Sequence, residues 1–137
     1  MKKFIALSLL VLTGAPVFAQ DTLFADLGGQ RGIDKIVDVS VDIYLTDPRI
    51  KDIFDESNMD RVRTQLKVQF CQISGGPCEY KGHGMAEAHK GLKLKNADFN
   101  ALVEDLQVAM DKVGVPFATQ NRLLARLAPM HRDVVTQ

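Results

Sequence analysis

The sequence has little of what marks several common classes of protein. Its 17 basic and 17 acidic residues cancel and form no long run of one sign, so nothing favours a nucleic-acid partner or an anionic membrane surface. No stretch alternates polar and apolar residues as a half-buried strand does, and there is no internal repeat. The two cysteines are not part of a Cys-x-x-Cys-His run, which excludes thioether attachment of a c-type haem.

The first 19 residues are organised like an export signal. Lys2 and Lys3 form a basic start, an apolar run extends from Phe4 to Leu12, and Val17-Phe18-Ala19 resembles a cleavage site. The apolar run is well short of the ~20 residues of a membrane-spanning helix, so a membrane anchor is the weaker interpretation. We expect cleavage after Ala19 and a periplasmic or secreted product. That product has 15 basic and 17 acidic residues, and this near balance of charge favours a small or neutral ligand.

The remaining residues, 20–137, predict one all-α domain, because apolar residues recur there at helical spacing in four stretches. A short helix from Thr22 to Leu27 is expected first. The four main helices are expected over residues 33–45, ending at Asp47-Pro48, over 59–73, ending at Gly75-Gly76-Pro77, over 97–113, ending at Gly114, and from Pro116 onwards. Pro129 should kink or interrupt the last of them.

The segment from Pro77 to Asn96 does not follow this pattern. It contains three glycines and two of the three histidines, His83 and His89, and only Met85 to Lys90 has helical character. A loop of roughly 20 residues in a compact domain is either functional or disordered. Imidazole is the usual protein ligand of haem iron. A single histidine is more often structural, so His89 alone is weak evidence for a haem site.

Cys71 and Cys78 allow two interpretations. They are close in sequence, and in an oxidising compartment they could form a disulfide that stabilises the fold by ~2–3 kcal/mol. Alternatively both are reduced, with Cys71 packed as a small apolar residue on a helix and Cys78 in a loop. The sequence favours neither.

A series of short motifs, in the same order and at similar spacing, resembles the group I truncated haemoglobins over nearly all of residues 20–137. These motifs are Leu27-Gly28-Gly29, Asp47-Pro48-Arg49-Ile50 with Phe54, Gly75-Gly76-Pro77, Tyr80, Met85, Ala88-His89 with Gly91-Leu92, Phe99, Gly114-Val115-Pro116 and Leu127-Ala128-Pro129. The resemblance implies a truncated globin-like two-on-two helical sandwich around one b-type haem. It also implies that His89 is the protein ligand of the iron, and that the glycine-rich segment wraps the proximal side of the haem.

The resemblance further implies which residues contact the haem. Besides His89 they are Phe54, Met85 and Phe99 on the porphyrin, Val41, Val62 and Leu66 on the distal side, and Ser57 and Asn58, with Lys90 and Lys93, near the propionates. The best-known relatives carry a tyrosine and often a glutamine where this chain has the three apolar distal residues. Tyr44, one turn from Val41, is expected at a partly buried helix edge, and Gln65 is expected to be exposed.

Two further histidines are assigned less directly. His83, between two glycines, is expected to be solvent exposed. Some family members bond a histidine of the last helix to a haem vinyl group, and His131 lies within about one position of that site. The sequence does not decide whether His131 forms such a bond.

Three functions are compatible with these residues. The first is reversible binding of dioxygen, nitric oxide or carbon monoxide at the iron. The alternative is a haem enzyme, such as a nitric oxide dioxygenase, supplied by a periplasmic electron donor. A haem-free helical interaction module is the third. The apolar distal residues offer no hydrogen bond to a bound gas, so dioxygen should escape roughly ten- to hundredfold faster than from relatives with the tyrosine.

Overall fold

The computed structural model describes residues 23–137, and within them every regular element is a helix. The α-helices are α1 (Leu23–Asp26), α2 (Gly29–Tyr44), α3 (Met59–Ile73), α4 (Met85–Ala88), α5 (Asn96–Lys112), α6 (Phe117–Leu127) and α7 (His131–Val134), with 3₁₀ turns at Lys51–Phe54 and Ala128–Met130. The all-α prediction is confirmed. The predicted signal peptide lies outside the described residues. No helix in residues 23–137 has the length and apolar character needed to cross a membrane.

Helix α2 begins where two glycines turn the chain. Gly28 and Gly29 have φ angles of 88° and 64°, in the left-handed region that glycine adopts without strain. The apolar stripe of the helix is fully buried at Ile33, Ile36, Val37 and Val41. The helix ends at Tyr44, shortly before Asp47-Pro48, because the residue that precedes a proline disfavours helical geometry.

Helix α3 is fixed at both ends by local interactions. At its start the Asn58 side-chain oxygen accepts a hydrogen bond from the backbone N–H of Arg61 at 3.0 Å, so Asn58 is the N-cap of the helix. At its end Gly75 has φ 85° and terminates the helix. Cys71 and Cys78 form a disulfide across this turn, with their Cα atoms 5.7 Å apart. The disulfide interpretation is therefore the one that the structure adopts.

The C-terminal helices also end where the sequence predicts. Gly114, with φ 80°, separates α5 from α6. Pro129 lies in the 3₁₀ turn that separates α6 from α7, so the predicted interruption is confirmed. Helix α2 packs against both α3 and α5, and α6 packs against α5 and α1. The stripes of these helices form one core, and the loop with α4 lies beside α3.

Candidate functional site

A cavity of about 200 Å³ lies between α3 and the segment that carries α4. It is lined by Gln69, Gln72, Ile73, Tyr80, Gly84, Met85 and Met130. The three residues from α3 share one face of that helix, since residues three and four apart are neighbours. Of the residues predicted to bind haem, Met85 lines this cavity.

Gln69 is a buried polar residue in the lining of the cavity. The residue is only 7% exposed, and its side-chain amide donates to the sulfur of Met85 at 3.3 Å and to the sulfur of Met130 at 3.5 Å. Thioether sulfur is a weak acceptor. Through this amide, α3 contacts both the start of α4 and the turn before α7.

His89 directly follows α4, and the backbone fixes which of its ring nitrogens carries the proton. Nδ1 lies 2.8 Å from the carbonyl oxygen of Met85. A carbonyl only accepts, so Nδ1 donates, and in the neutral imidazole Nε2 carries the lone pair. Within residues 23–137, Nε2 has no hydrogen-bond partner. A histidine whose Nδ1–H is held by a backbone carbonyl is the usual arrangement of a metal-ligating imidazole.

The residues predicted to face a bound gas are apolar and close to the core. Val41 is fully buried, and Leu66 is partly buried against the same core as Val41. Val62 is half-buried one turn before Leu66 on α3. None of these three is among the described residues that line the 200 Å³ cavity. Their distal role stays a prediction.

Two predicted porphyrin contacts are aromatic side chains with aromatic partners. Phe54 stacks on Tyr44, with ring centroids 5.9 Å apart and planes 7° apart. Phe99 meets the His131 ring edge-on at 4.7 Å. His131 Nε2 lies 2.8 Å from the Asn96 side-chain oxygen, so this nitrogen already has a polar partner. Whether His131 bonds a haem covalently stays undecided by this contact.

The predicted propionate contacts lie at the surface. Asn58 uses its side-chain oxygen as the cap of α3, and Ser57, Lys90 and Lys93 are exposed. His83 is also exposed, as predicted, and faces Glu87 at 3.3 Å.

A buried polar cluster occupies the far end of α2. Tyr44 is 3% exposed, deeper than the helix-edge position expected of it, because α5 packs against this end of α2. Burial raises the pKa of Tyr44, and the Asp105 charge raises it further, whereas a hydrogen bond to Ser40 lowers it. Burial, followed by the charge of Asp47, raises the pKa of Asp105.

Arg49 connects the carboxylates of this cluster. Its guanidinium lies 2.7 Å from Asp47 and 3.6 Å from Asp105. Hydrogen bonding to Arg49 holds the pKa of Asp47 below its ordinary value. One oxygen of Asp105 is buried and has no hydrogen-bond partner among residues 23–137. The cluster links α5 to the turn after α2, on other elements than those that line the cavity.

A larger cleft, of about 410 Å³, lies elsewhere on the molecule. It is bounded by the start of α2 and the turn between α5 and α6, with Arg31 and Lys35 on its rim. None of the residues predicted to bind haem lines it. Size alone therefore does not identify the functional site. The cavity beside α4 is the candidate because Met85 lines it and the His89 ring is hydrogen-bonded to the Met85 backbone.

Comparison with known proteins identifies the family. Residues 22–136 match the family described as bacterial-like globin. The chain is 38% identical over 96 residues to a group 1 truncated hemoglobin of Tetrahymena thermophila, covering 70% of this chain and 79% of that one. It is 36% identical over 126 residues to a group 1 truncated hemoglobin of Synechocystis, covering 85% and 98%.

The chain belongs to the bacterial-like globin family. The fold agrees, since the crystal structure of truncated hemoglobin from Tetrahymena pyriformis in its Fe(III) form superposes with a TM-score of 0.81 at 30% identity, covering 84% of this chain and 98% of that one. This globin is a group I truncated haemoglobin with the two-on-two helical fold, and its cofactor is haem b.

The residues beside α4 fit a haem chemically. The cavity lining includes Ile73, Met85 and Met130, and the His89 imidazole has its Nδ1 proton committed to a carbonyl. The volume of about 200 Å³ is below the roughly 300–1,000 Å³ of typical ligand pockets. A macrocycle therefore requires α3 and α4 to lie further apart than they do here.

Gln69 and Met130 are cavity residues that sequence reasoning missed. Gln69 lies four residues after Gln65 and three after the predicted distal Leu66, so helical spacing could have placed it near the site. Met130 follows Pro129 on a segment 61 residues later in the chain, and no local signal connects it with α3.

Proposed function

We propose that this globin reversibly binds a diatomic gas, dioxygen in the first place, at the iron of its haem, with His89 as the protein ligand. The observation that carries the proposal is the His89 imidazole, with Nδ1 held 2.8 Å from the Met85 carbonyl oxygen and Nε2 without a partner among the described residues. The names of the relatives, truncated hemoglobins, support the same function.

Different residues of the chain would have different roles in binding the gas. When bound, the haem supplies an iron with one position for His89 and one for the gas. The backbone of Met85 orients the imidazole and favours its Nε2 lone pair. On the opposite side, Val41, Val62 and Leu66 would exclude water and offer no hydrogen bond to the gas. This apolar side favours reversible binding over turnover of peroxide, because the groups that promote such cleavage are not among these residues.

The test of ligation is optical. Wild-type protein with hemin should show a Soret band, and His89→Ala should lose it and recover a similar spectrum with added imidazole. His83→Ala, which removes an exposed histidine of the same segment, is the matched control and should keep the wild-type spectrum. An unchanged spectrum in His89→Ala, or wild-type protein that binds no hemin, would refute the proposal. Nitric oxide turnover by the oxygenated protein, with and without a reductant, tests the enzymatic alternative.

We also propose that the protein is exported and cleaved after Ala19. The basic start, apolar run and small residues of residues 1–19 support this, and so does the Cys71–Cys78 disulfide, since disulfides persist in oxidising compartments. Intact mass measurement of the natively produced protein should give a chain that starts at Gln20. A cytosolic full-length chain would contradict the proposal.

A further inference from the structure

The Cys71–Cys78 disulfide lies between the core and the segment that carries the proximal histidine. Cys71 is fully buried near the end of α3, whereas Cys78 begins the segment that leads to α4. The intervening turn is closely packed, since a Cβ at Gly76 would lie 2.5 Å from the Phe24 ring and 2.7 Å from the Cys71 sulfur. Cys78 is thus anchored covalently to a part of the protein that has little room to move.

After the disulfide the segment is held to α3 by a series of polar contacts. The Tyr80 backbone N–H donates to the Gln72 side-chain oxygen, and the Tyr80 hydroxyl donates to the His83 carbonyl at 2.9 Å. Gln69 then reaches Met85, the first residue of α4. Two of these contacts join α3 to the residues between Cys78 and His89, and the contact from Tyr80 to His83 lies within the segment itself.

The other end of the segment is held by the C-terminus. Leu94 is 7% exposed, and its carbonyl accepts hydrogen bonds from the backbone N–H groups of Thr136 and Gln137 at 3.1 and 3.2 Å. Residues 79–93 are therefore a loop with two fixed ends and a mostly exposed middle. The upstream end is fixed by a covalent bond and the downstream end by hydrogen bonds.

We propose that the disulfide is a positioning element for His89, so that haem retention depends on it beyond its contribution to global stability. The inference rests on the proposed function, because it assumes that His89 ligates the iron. The two cysteines are seven residues apart. On the chain-entropy estimate, a disulfide at this separation reduces the number of conformations open to the unlinked chain by a factor on the order of fifty. Without the bond, α4 is held to α3 by weak contacts to sulfur and exposed hydrogen bonds, and excursions of His89 away from the iron become more frequent.

The experiment compares Cys71→Ala/Cys78→Ser with Leu123→Ala. The second variant truncates a fully buried core residue on α6, outside the segment, and supplies a control for general destabilisation. Two quantities are measured: the rate of haem transfer to an excess of a scavenging apoprotein, and amide hydrogen exchange of residues 79–93 in hemin-free protein. Free energies of unfolding are determined for both variants.

The cysteine variant should lose haem faster than wild type, by up to about fiftyfold. Its amide exchange, relative to wild type, should increase more in residues 79–93 than in α2 and α5. Leu123→Ala should raise exchange throughout the domain. Wild-type protein treated with dithiothreitol should match the cysteine variant; the dithiol gives up two electrons and two protons, the S–S bond breaks, and two thiols form.

Haem loss that follows the free energy of unfolding equally in both variants would overturn the inference, as would unchanged exchange in residues 79–93 of the cysteine variant. Failure of wild-type protein to bind hemin refutes the proposed function instead, and the exchange measurement still tests the positioning of the segment.

Discussion

At the scale of single residues, Gln69 brings a hydrogen-bond donor to a site whose predicted gas-facing residues are apolar. Its amide already donates to the sulfurs of Met85 and Met130, so Gln69→Leu should leave the rate of dioxygen escape unchanged. Val62→Gln adds a donor at a predicted distal position. It should slow escape roughly ten- to hundredfold, because a hydrogen bond to the polarised gas is worth about 1.5–3 kcal/mol. Flash photolysis measures both rates.

Val108→Gln is the control for Val62→Gln, since it places the same side chain on α5 at a residue that is 44% exposed. It should not change dioxygen escape. Slow escape from the wild type that becomes fast in Gln69→Leu would show that Gln69, and not an apolar surface, faces the gas.

Asp105 makes stability depend on pH. Its pKa is raised above 3.8, first by burial and then by Asp47, so the folded chain holds this proton more tightly than the unfolded chain does. Stability from this group is therefore present at or below the unfolded pKa and is lost as the pH rises through the folded pKa. Asp105→Asn cannot ionise, and its free energy of unfolding relative to wild type should increase from pH 4 to pH 7.

Urea unfolding at several pH values tests this expectation for Asp105→Asn. Glu104→Gln is a suitable comparison, because Glu104 is an exposed carboxylate that also contacts Arg49. A difference between Asp105→Asn and wild type that does not vary with pH would contradict the assignment.

At the scale of elements, the junction of α1 and α2 depends on Gly32. A Cβ at this position would lie 1.9 Å from the Leu27 carbonyl oxygen and 2.8 Å from the carbonyl carbon. Backbone atoms cannot yield as a flexible side chain can, so Gly32→Ala should lower the free energy of unfolding by about 3 kcal/mol or more.

Gly84→Ala is the matched substitution before α4. Gly84 has φ −60° and no atom within 4 Å of the added methyl, so the change should raise the free energy of unfolding by about 0.4–1 kcal/mol through the unfolded chain. Urea unfolding compares the two variants, and equal losses in both would show that close packing at Gly32 is not the cause.

The helix ends could be predicted from the sequence because the residues that terminate helices act locally. Gly28-Gly29, Asp47-Pro48 and Pro129 each end or interrupt a helix where expected. The residues that line the cavity could not be predicted this way, because Gln69 contacts Met130 only through tertiary packing. The disulfide needed the same information, since pairing requires a suitable separation of Cα atoms, here 5.7 Å.

At the scale of the whole molecule, haem binding and folding are linked, because a ligand that binds only the folded chain stabilises it. The cavity is formed by α3, the segment with α4 and the turn at Met130, and none of these alone could hold a porphyrin. Hemin at a hundredfold excess over its dissociation constant should add about 2.7 kcal/mol, which raises the Tm of a domain of this size by about 10 °C.

Metal-free protoporphyrin separates the stabilisation that comes from apolar contacts from the stabilisation that comes from the bond between His89 and the iron. It retains the apolar contacts of haem but cannot be ligated by His89, so it should raise the Tm of the wild type less than hemin does. In His89→Ala the two compounds should act alike, since the bond that distinguishes them is gone. A larger effect of hemin that persists in His89→Ala would place the iron ligand elsewhere in the chain, and thermal unfolding followed by circular dichroism decides between these outcomes.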